Sequence, residues 1–285
     1  MLGMQPPLLP TLYISHGSPM TALEPREAGA FMQRLGPAID AAFGRPKAIL
    51  AISAHSLARE PVLLAAAEQE AVYDFGGFDQ QLYRLRYDAS GAPELALQVA
   101  ALLQGAGIAV HRVNEGGLDH GIWTPLRFMF PGADVLVLPL AWPADWSPER
   151  LMALGAALSP LAEQGVLVMG TGSLTHNLRR VFGSGRPPEA DAPPTPESSA
   201  FRQWFAERGA AADWPALLDY RRHAPHAVLM HPTDEHLLPF FVAAGAAGAT
   251  PQALRIHESL VFGDLAMDAF AFGPAAAQLA AALQS

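Results

Sequence analysis

The sequence contains no cysteine, and that single absence removes disulfides, thiol nucleophiles and thiolate-bound zinc. Any metal held by this chain must sit on nitrogen and oxygen. Basic residues are also scarce. Eighteen Lys and Arg against 27 Asp and Glu give a formal charge of −9, which repels a phosphate backbone rather than releasing its counterions. No nucleic-acid partner is expected. Long apolar runs are lacking too: the stretch from Leu237 to Ala249 is interrupted by Pro239 and two glycines and falls short of the ~18 residues of a spanning helix. The opening MLGMQPPLLP has neither the basic start nor the apolar stretch of a signal peptide, so the expectation is a cytoplasmic protein without membrane contact.

What is present is ample core material, 51% hydrophobic against 16% charged over 285 residues. Single α/β domains run to ~250 residues, so one catalytic domain over 1–285 is expected. The stretch 183–199, rich in Pro, Gly and Ser, reads as an exposed flexible loop, a connector rather than a substrate lid. Short β-type runs at 12–14, 48–52 and 166–169 end abruptly in polar or glycine-containing segments, and 108–113 and 135–140 read as further strands. Helical patterns follow at 93–105, 148–164, 235–247 and 274–284, several opening on proline. Near-continuous apolar runs such as VLVLPL predict strands covered on both faces. The fold class is therefore layered α/β, a central, largely parallel or mixed sheet flanked by helices, with ligands collecting beyond the carboxyl ends of strands.

Ten histidines carry the remaining information. His16 and His55 each follow a predicted strand. His120 lies between glycines that let its imidazole approach a ligand, or it is a loop residue paired with Asp119. His176 follows a glycine-rich turn that lacks the lysine of a phosphate loop. In HPTDEHLLPFF, Thr233 is the expected N-cap of a helix whose rigid first turn presents His236, with His231 a supporting or solvent residue. The spacing is not that of the HExxH zinc proteases. His111, His223, His226 and His257 have no supporting motif and read as structural. Ser18, Ser53 and Ser173 lack a G-x-S-x-G elbow, which argues against a serine hydrolase.

Six segments in order, SHGSPM at 15–20, SAH at 53–55, YDFGGF at 73–78, LDHGIWTPL at 118–126, GTGSLTHNLR at 170–179 and HPTDEHLLP at 231–239, resemble the class III extradiol ring-cleaving dioxygenases. More narrowly, they resemble the 4,5-DOPA dioxygenase branch of the LigB-like superfamily, over nearly the whole chain. The resemblance implies a mononuclear non-haem Fe(II) enzyme that takes a small-molecule catechol and O2; an all-histidine site also suits Zn(II) in place of the iron. It makes His16, His55 and His236 the metal ligands, Glu235 the rival of His236, and His176 either a fourth metal neighbour or an acid/base. His120 becomes a second pocket histidine, expected in catalysis as a hydrogen-bonding partner of the bound oxygen or of a substrate hydroxyl. One departure is visible: Ser56 stands where this branch commonly has tryptophan, which bears on substrate fit.

Few protein ligands on one face of the metal leave open positions for a catecholate and O2 together. His176, with an ordinary imidazole pKa near working pH, is the expected proton acceptor. Tyr73, Phe75 and Phe78 are the expected walls for the aromatic ring. Two other readings stand beside this one, a zinc-dependent hydrolase and a non-catalytic metal-binding protein on the same fold. Homo-oligomerisation is left open.

Overall fold

The computed structural model describes residues 8–248 and 251–284; the first seven, which carry most of the expectation about a leader, lie outside them. Eight strands, β1 (Thr11–Ser15), β2 (Ala48–Ser53), β3 (Val62–Leu64), β4 (His111–Val113), β5 (Leu136–Ala141), β6 (Val166–Gly172), β7 (Ala253–His257) and β8 (Ala269–Phe272), form one sheet in the order β4-β3-β5-β2-β6-β1-β8-β7. The four central strands, β5, β2, β6 and β1, run parallel. On one side β3 pairs antiparallel with β5, and on the other β8 and β7 are antiparallel additions. The sheet is mixed with a parallel centre, as the alternation of strand and helix patterns predicted.

Side chains of a strand alternate between faces, and both faces here are covered. In β2, Ala48, Leu50 and Ile52 enter one apolar layer while Ile49 and Ala51 enter the other. The first layer is packed by α2 (Pro93–Gly105), α4 (Pro148–Ala157), α5 (Pro196–Ala210) and α6 (Pro239–Ala246). The second is packed by α1 (Arg26–Phe43), α3 (His120–Met129) and α7 (Ala276–Ala282). No helix among the described residues is long and apolar enough to cross a membrane.

Two predicted helices differ, and proline is the reason in both. The pattern at 148–164 splits into α4 and a 3₁₀ turn, Ser159–Gln164, because Pro160 has no N–H with which to continue the α-helical ladder. The helix expected from Glu235 begins instead at Pro239, where a missing N–H costs nothing. Asp234 to Leu238 forms tight turns, with Leu237 and Leu238 both donating to the Asp234 carbonyl. Thr233 is therefore not a cap; its hydroxyl donates to the Glu235 carboxylate. Similarly, α5 starts at Pro196 under a Thr195 cap, inside the stretch read as loop.

Candidate metal centre

The parallel centre brings the carboxyl ends of β1, β2 and β6 side by side, and the histidines hang from them. The Ser15 N–H and hydroxyl both donate to the Asp268 carbonyl, at 3.2 and 2.8 Å, which fixes the end of β1 just before His16. At the end of β2 the Trp142 indole N–H donates to the Ser53 carbonyl at 2.7 Å. The turn carrying His55 is then tied down from beneath, since Ser53 and Ser56 hydroxyls donate to the two carboxylate oxygens of buried Asp119 at 2.6 and 2.5 Å. Burial lifts the Asp119 carboxyl above its ordinary range, and the two hydroxyls work against that lift. Asp119 is thus not the partner of His120. Nor does Ser56 line the cavity described below; its hydroxyl is spent on Asp119.

The glycine-rich end of β6 has a packing reason. A Cβ on Gly172 would lie 1.9 Å from the His236 carbonyl oxygen, so the turn Asp234 to Leu238 can sit on the strand only because no side chain is there. That carbonyl accepts from the Tyr13 hydroxyl at 2.7 Å and from the Ser173 N–H at 2.9 Å. His236 is held by its backbone from two strands. The segment that resembles a phosphate cradle is a seat for a histidine.

Five imidazoles converge as a result. The Nε2 atoms of His16 and His55 lie 3.1 Å apart. Ring centroids are 5.5 Å apart for His16 and His236, 4.9 Å for His55 and His236, and 4.1 Å for His55 and His120. His176 stacks on His236 at 3.4 Å. His16, His120 and His236 are buried.

The hydrogen bonds behind the rings decide which nitrogen faces the centre. The Thr171 hydroxyl gives its only hydrogen to the Gly121 carbonyl at 2.6 Å, so the His16 Nδ1 at 2.8 Å must donate to it. His16 Nε2 is then a bare lone pair. Asp74, held ionised by His120, accepts from the His120 Nδ1 at 3.0 Å and also faces His55 Nδ1 at 3.6 Å. Glu235, pushed down to about 2 chiefly by His236, accepts from His236 Nδ1 at 3.1 Å. Three outer nitrogens are therefore engaged as donors, which turns the three Nε2 atoms inward as acceptors. Such carboxylate–imidazole and hydroxyl–imidazole pairs are the usual supports of metal-bound histidine.

Electrostatics agree. Burial first, then the surrounding histidines, lower the pKa of His16 well below the ordinary imidazole value. His55 is pushed down to about 3 by burial, His120 and His236, and burial lowers His236 against the pull of Glu235. His176 falls to about 2, through burial and His236. The expectation that His176 titrates near working pH is not met; it is a neutral base at pH 7. A cluster of imidazoles with depressed pKa values, in which the Nε2 atoms of His16 and His236 are lone pairs because their Nδ1–H groups are spent on Thr171 and Glu235, fits a borderline cation.

His16, His55 and His236 offer ligand atoms within 4.8 Å of one another. Two overlapping groups meet the same criterion, His55 with Asp74 and His120, and His176 with Glu235 and His236. In both the carboxylate already serves the outer nitrogen of a histidine, so the all-histidine group is the better cradle. The histidines lie in a cavity of about 1400 Å³ that also exposes Phe75 and Phe78. Tyr73 is not in its lining: its hydroxyl donates to the Leu85 carbonyl, and its ring packs behind Phe75 against Trp123. His231 is fully buried and donates from Nε2 to the Leu174 carbonyl at 2.8 Å, bracing the segment that leads to His176. His111, His223, His226 and His257 lie outside the cavity lining.

Asp74 and Thr171 were not singled out from sequence, although both stand in quoted segments. Asp74 sits one residue from the aromatic positions of YDFGGF, and Thr171 sits between the two glycines of GTG. A carboxylate or hydroxyl inside a histidine-bearing motif was the available signal.

Residues 10–265 match the family model described as the catalytic LigB subunit of aromatic ring-opening dioxygenase. The 4,5-DOPA dioxygenase extradiol of Beta vulgaris is 36% identical over 95% of this chain and 99% of its own length, and that of Escherichia coli K12 is 32% identical over 91% and 93%. The crystal structure of an uncharacterized protein from Escherichia coli K12 superposes with a TM-score of 0.73 at 27% identity, covering 93% of this chain and 100% of that one. With a family match over most of its length, relatives of this identity and a histidine-lined cavity at the ends of its parallel strands, the chain belongs to the LigB family of aromatic ring-opening dioxygenases, in the branch of the extradiol 4,5-DOPA dioxygenases.

Proposed function

We propose that this enzyme cleaves a catechol ring beside its two hydroxyls with O2, at a single Fe(II) held by His16, His55 and His236 within one catalytic domain. The observation that carries the reading is that His16, His55 and His236 bring ligand atoms within 4.8 Å of one another, with the Nε2 atoms of His16 and His55 3.1 Å apart and the outer nitrogens of His16 and His236 donating to Thr171 and Glu235. When bound, the metal would supply adjoining positions for catecholate and O2 and draw the first catechol proton off. Glu235 supports His236 from behind in this scheme and is not itself a ligand. His176, neutral and stacked on His236, accepts the proton of the second catechol hydroxyl at a ring nitrogen and returns it later. An arriving anion raises the proton affinity of His176 at the step that needs it. His120 keeps its Nδ1–H on Asp74 and offers Nε2 to a substrate hydroxyl. Phe75, edge-on to His120 at 5.6 Å, and Phe78 flank the ring and keep water from it.

The test is anaerobic loading with Fe(II), admission of O2, and measurement of oxygen uptake against a catechol panel that begins with L-DOPA. One O2 consumed per yellow semialdehyde formed is the expected result. Turnover that continues without oxygen and with zinc in place of iron would replace this reading with a zinc-dependent hydrolase. Metal binding with no turnover of any catechol would leave a metal-binding protein.

A further inference from the structure

A group of buried charges lies outside the cavity lining and has no role in the ring cleavage proposed above. Asp268, just before β8, is wholly buried, and Arg202 of α5, almost as buried, forks onto it. Its Nη2 donates to one carboxylate oxygen at 2.6 Å and its Nε to the same oxygen at 3.2 Å. Arg255 of β7 reaches the other oxygen at 3.4 Å, and Arg202 Nη2 also donates to the Ser259 carbonyl at 3.3 Å.

Stability is a weak reason for such a pair. Taking two charges out of water is costly, and a well-packed apolar pair of similar volume is often as stable or more so. Here burial lifts the Asp268 carboxyl above its ordinary range, with both arginines opposing the lift. What the pair holds in place is the better guide to its use.

The segment Asp264 to Asp268 touches the chain on both sides of His16. Before it, the Asp268 carbonyl accepts from the Ser15 N–H and hydroxyl. After it, the Met267 side chain lies so close to Gly17 that a Cβ there would stand 2.7 Å from its terminal carbon. The Ser15 hydroxyl in turn accepts from the Leu174 N–H at 3.2 Å. The Ala266 N–H donates to the Thr175 hydroxyl at 2.8 Å, and that hydroxyl gives its own hydrogen to the Asp264 carbonyl at 2.5 Å, immediately before His176. The segment is a crosspiece between the residues that carry His16 and those that carry His176. From the other side β6 holds His16, its N–H donating to the Gly172 carbonyl at 3.0 Å and its Nδ1 to Thr171. The rung from Ser15 to Asp268 therefore decides how β1 ends against β6, and the Arg202 fork fixes the residue on which that rung rests.

We infer that Arg202 and Asp268 are positioning residues for the metal centre: their ion pair holds the Asp268 carbonyl against Ser15 and so sets where the His16 ring stands relative to His55 and His236. This rests on the reading of His16 as a metal ligand, and not on the catechol.

The test sets stability against metal affinity in the full-length protein, with Co(II) as the probe because its visible absorption reports ligand geometry. Arg202→Met alone leaves a carboxylate buried and unpaired and should lower the melting temperature strongly. Arg202→Met combined with Asp268→Leu removes that charge and should bring the melting temperature back to within a few degrees of the parent's. It should still bind Co(II) about tenfold more weakly, with a changed absorption band. Arg202→Lys keeps the charge without the planar fork; it should melt near the parent and bind Co(II) severalfold more weakly. In the metal-free protein labelled with nitrogen-15 histidine, the His16 Nδ1 proton held by Thr171 should exchange with solvent faster in the double variant than in the parent. Parent-like Co(II) affinity and a parent-like Nδ1 proton in the double variant, or in Arg202→Lys should the double variant not fold, would show that the pair serves only the fold and would overturn the inference. A parent protein that binds no Co(II) would remove the metal reading instead, and the Nδ1 proton alone would then decide whether the pair positions His16.

Discussion

The histidine rings in the cavity hang from strand ends or from turns pinned to them, and the outer nitrogens of His16, His120 and His236 have fixed partners. Much of the remaining wall comes from the start of the chain, the segment after His176 and a small hairpin, Leu260–Val261 with Leu265–Ala266, none of them in the eight-stranded sheet. The backbone differs in the same sense. Both Arg26, at φ 47°, and Phe262, at φ 57°, belong to that wall, whereas His16, His55, His120, His176 and His236 all have ordinary φ. A reacting centre needs its groups placed to a fraction of an ångström and is built on rigid elements, while a wall that encloses a substrate can be made from loops.

The sharpest way to break this contrast is to exchange one residue of each kind. His236→Ala should take metal content from one per chain to near zero and abolish turnover, a loss on the order of a thousandfold or more, whereas Phe182→Ala, in the wall, should keep full metal. Elemental analysis after anaerobic loading reads both. Glu235→Gln distinguishes support from ligation: it should weaken metal binding by about 10–100-fold without removing it. A His236→Ala protein that still binds one ion, beside a Glu235→Gln protein that binds none, would assign the third ligand to Glu235.

A smaller effect is expected where no ligand is touched. Gly172→Ala places a methyl group against the His236 carbonyl, and the turn must move. Overpacking of this kind costs roughly 1–3 kcal/mol, and metal affinity should fall by about a hundredfold because the displaced group is a ligand. A melting temperature lowered by several degrees with unchanged metal affinity would show that the turn slides without carrying the ring. Thr171→Val comes next. Without the hydroxyl, His16 loses the acceptor that fixes Nδ1–H, and affinity should drop by about tenfold or somewhat more. Thr171→Ser should restore it, and nitrogen-15 spectra of the metal-free protein should show His16 mixing tautomers in the valine variant alone.

These variants also mark what the sequence could and could not disclose. His16 and His55 were legible because an apolar run, an abrupt polar stop and a histidine describe a strand end, and strand ends in a parallel sheet share one side. His236 was legible as a ligand through resemblance, but its local structure was misread, since the acidic residues before it look like a helix start and Pro239 outweighs them. Thr171 serves a ring 155 positions away and Asp74 one 46 positions away. No local pattern encodes such pairings, because they arise only when the fold lays β1 beside β6 and the segment around Asp74 against the start of α3. Adjacency offers Asp119 as one of two readings for His120, and the carboxylate instead bonds Ser53 and Ser56. The rest of the cavity wall was illegible for the same reason, being drawn from segments that only the fold assembles.

The last contrast concerns protons and gives the smallest effect at any one pH. His231 lies outside the cavity lining, wholly buried, and its pKa is lowered to about 4 by burial, with the Leu174 carbonyl opposing the shift. The folded protein therefore keeps this ring neutral, while the unfolded chain protonates it near pH 6.5. The stability it contributes is complete above about pH 6.5 and is lost as pH falls toward about 4, at close to 1.4 kcal/mol per pH unit once the unfolded form is protonated, and under about 1 kcal/mol near pH 6. His231→Gln keeps an N–H donor for Leu174 but cannot titrate. In urea melts of the metal-free protein between pH 7 and 5, the variant should lose stability less steeply than the parent by about one proton. Phe182→Ala, a wall variant that removes no titrating group, should shift the whole profile without changing its slope. Parallel profiles for parent and His231→Gln would mean that His231 is protonated in the fold, and the distinction between titrating histidines and a non-titrating wall would have to rest on the other histidines.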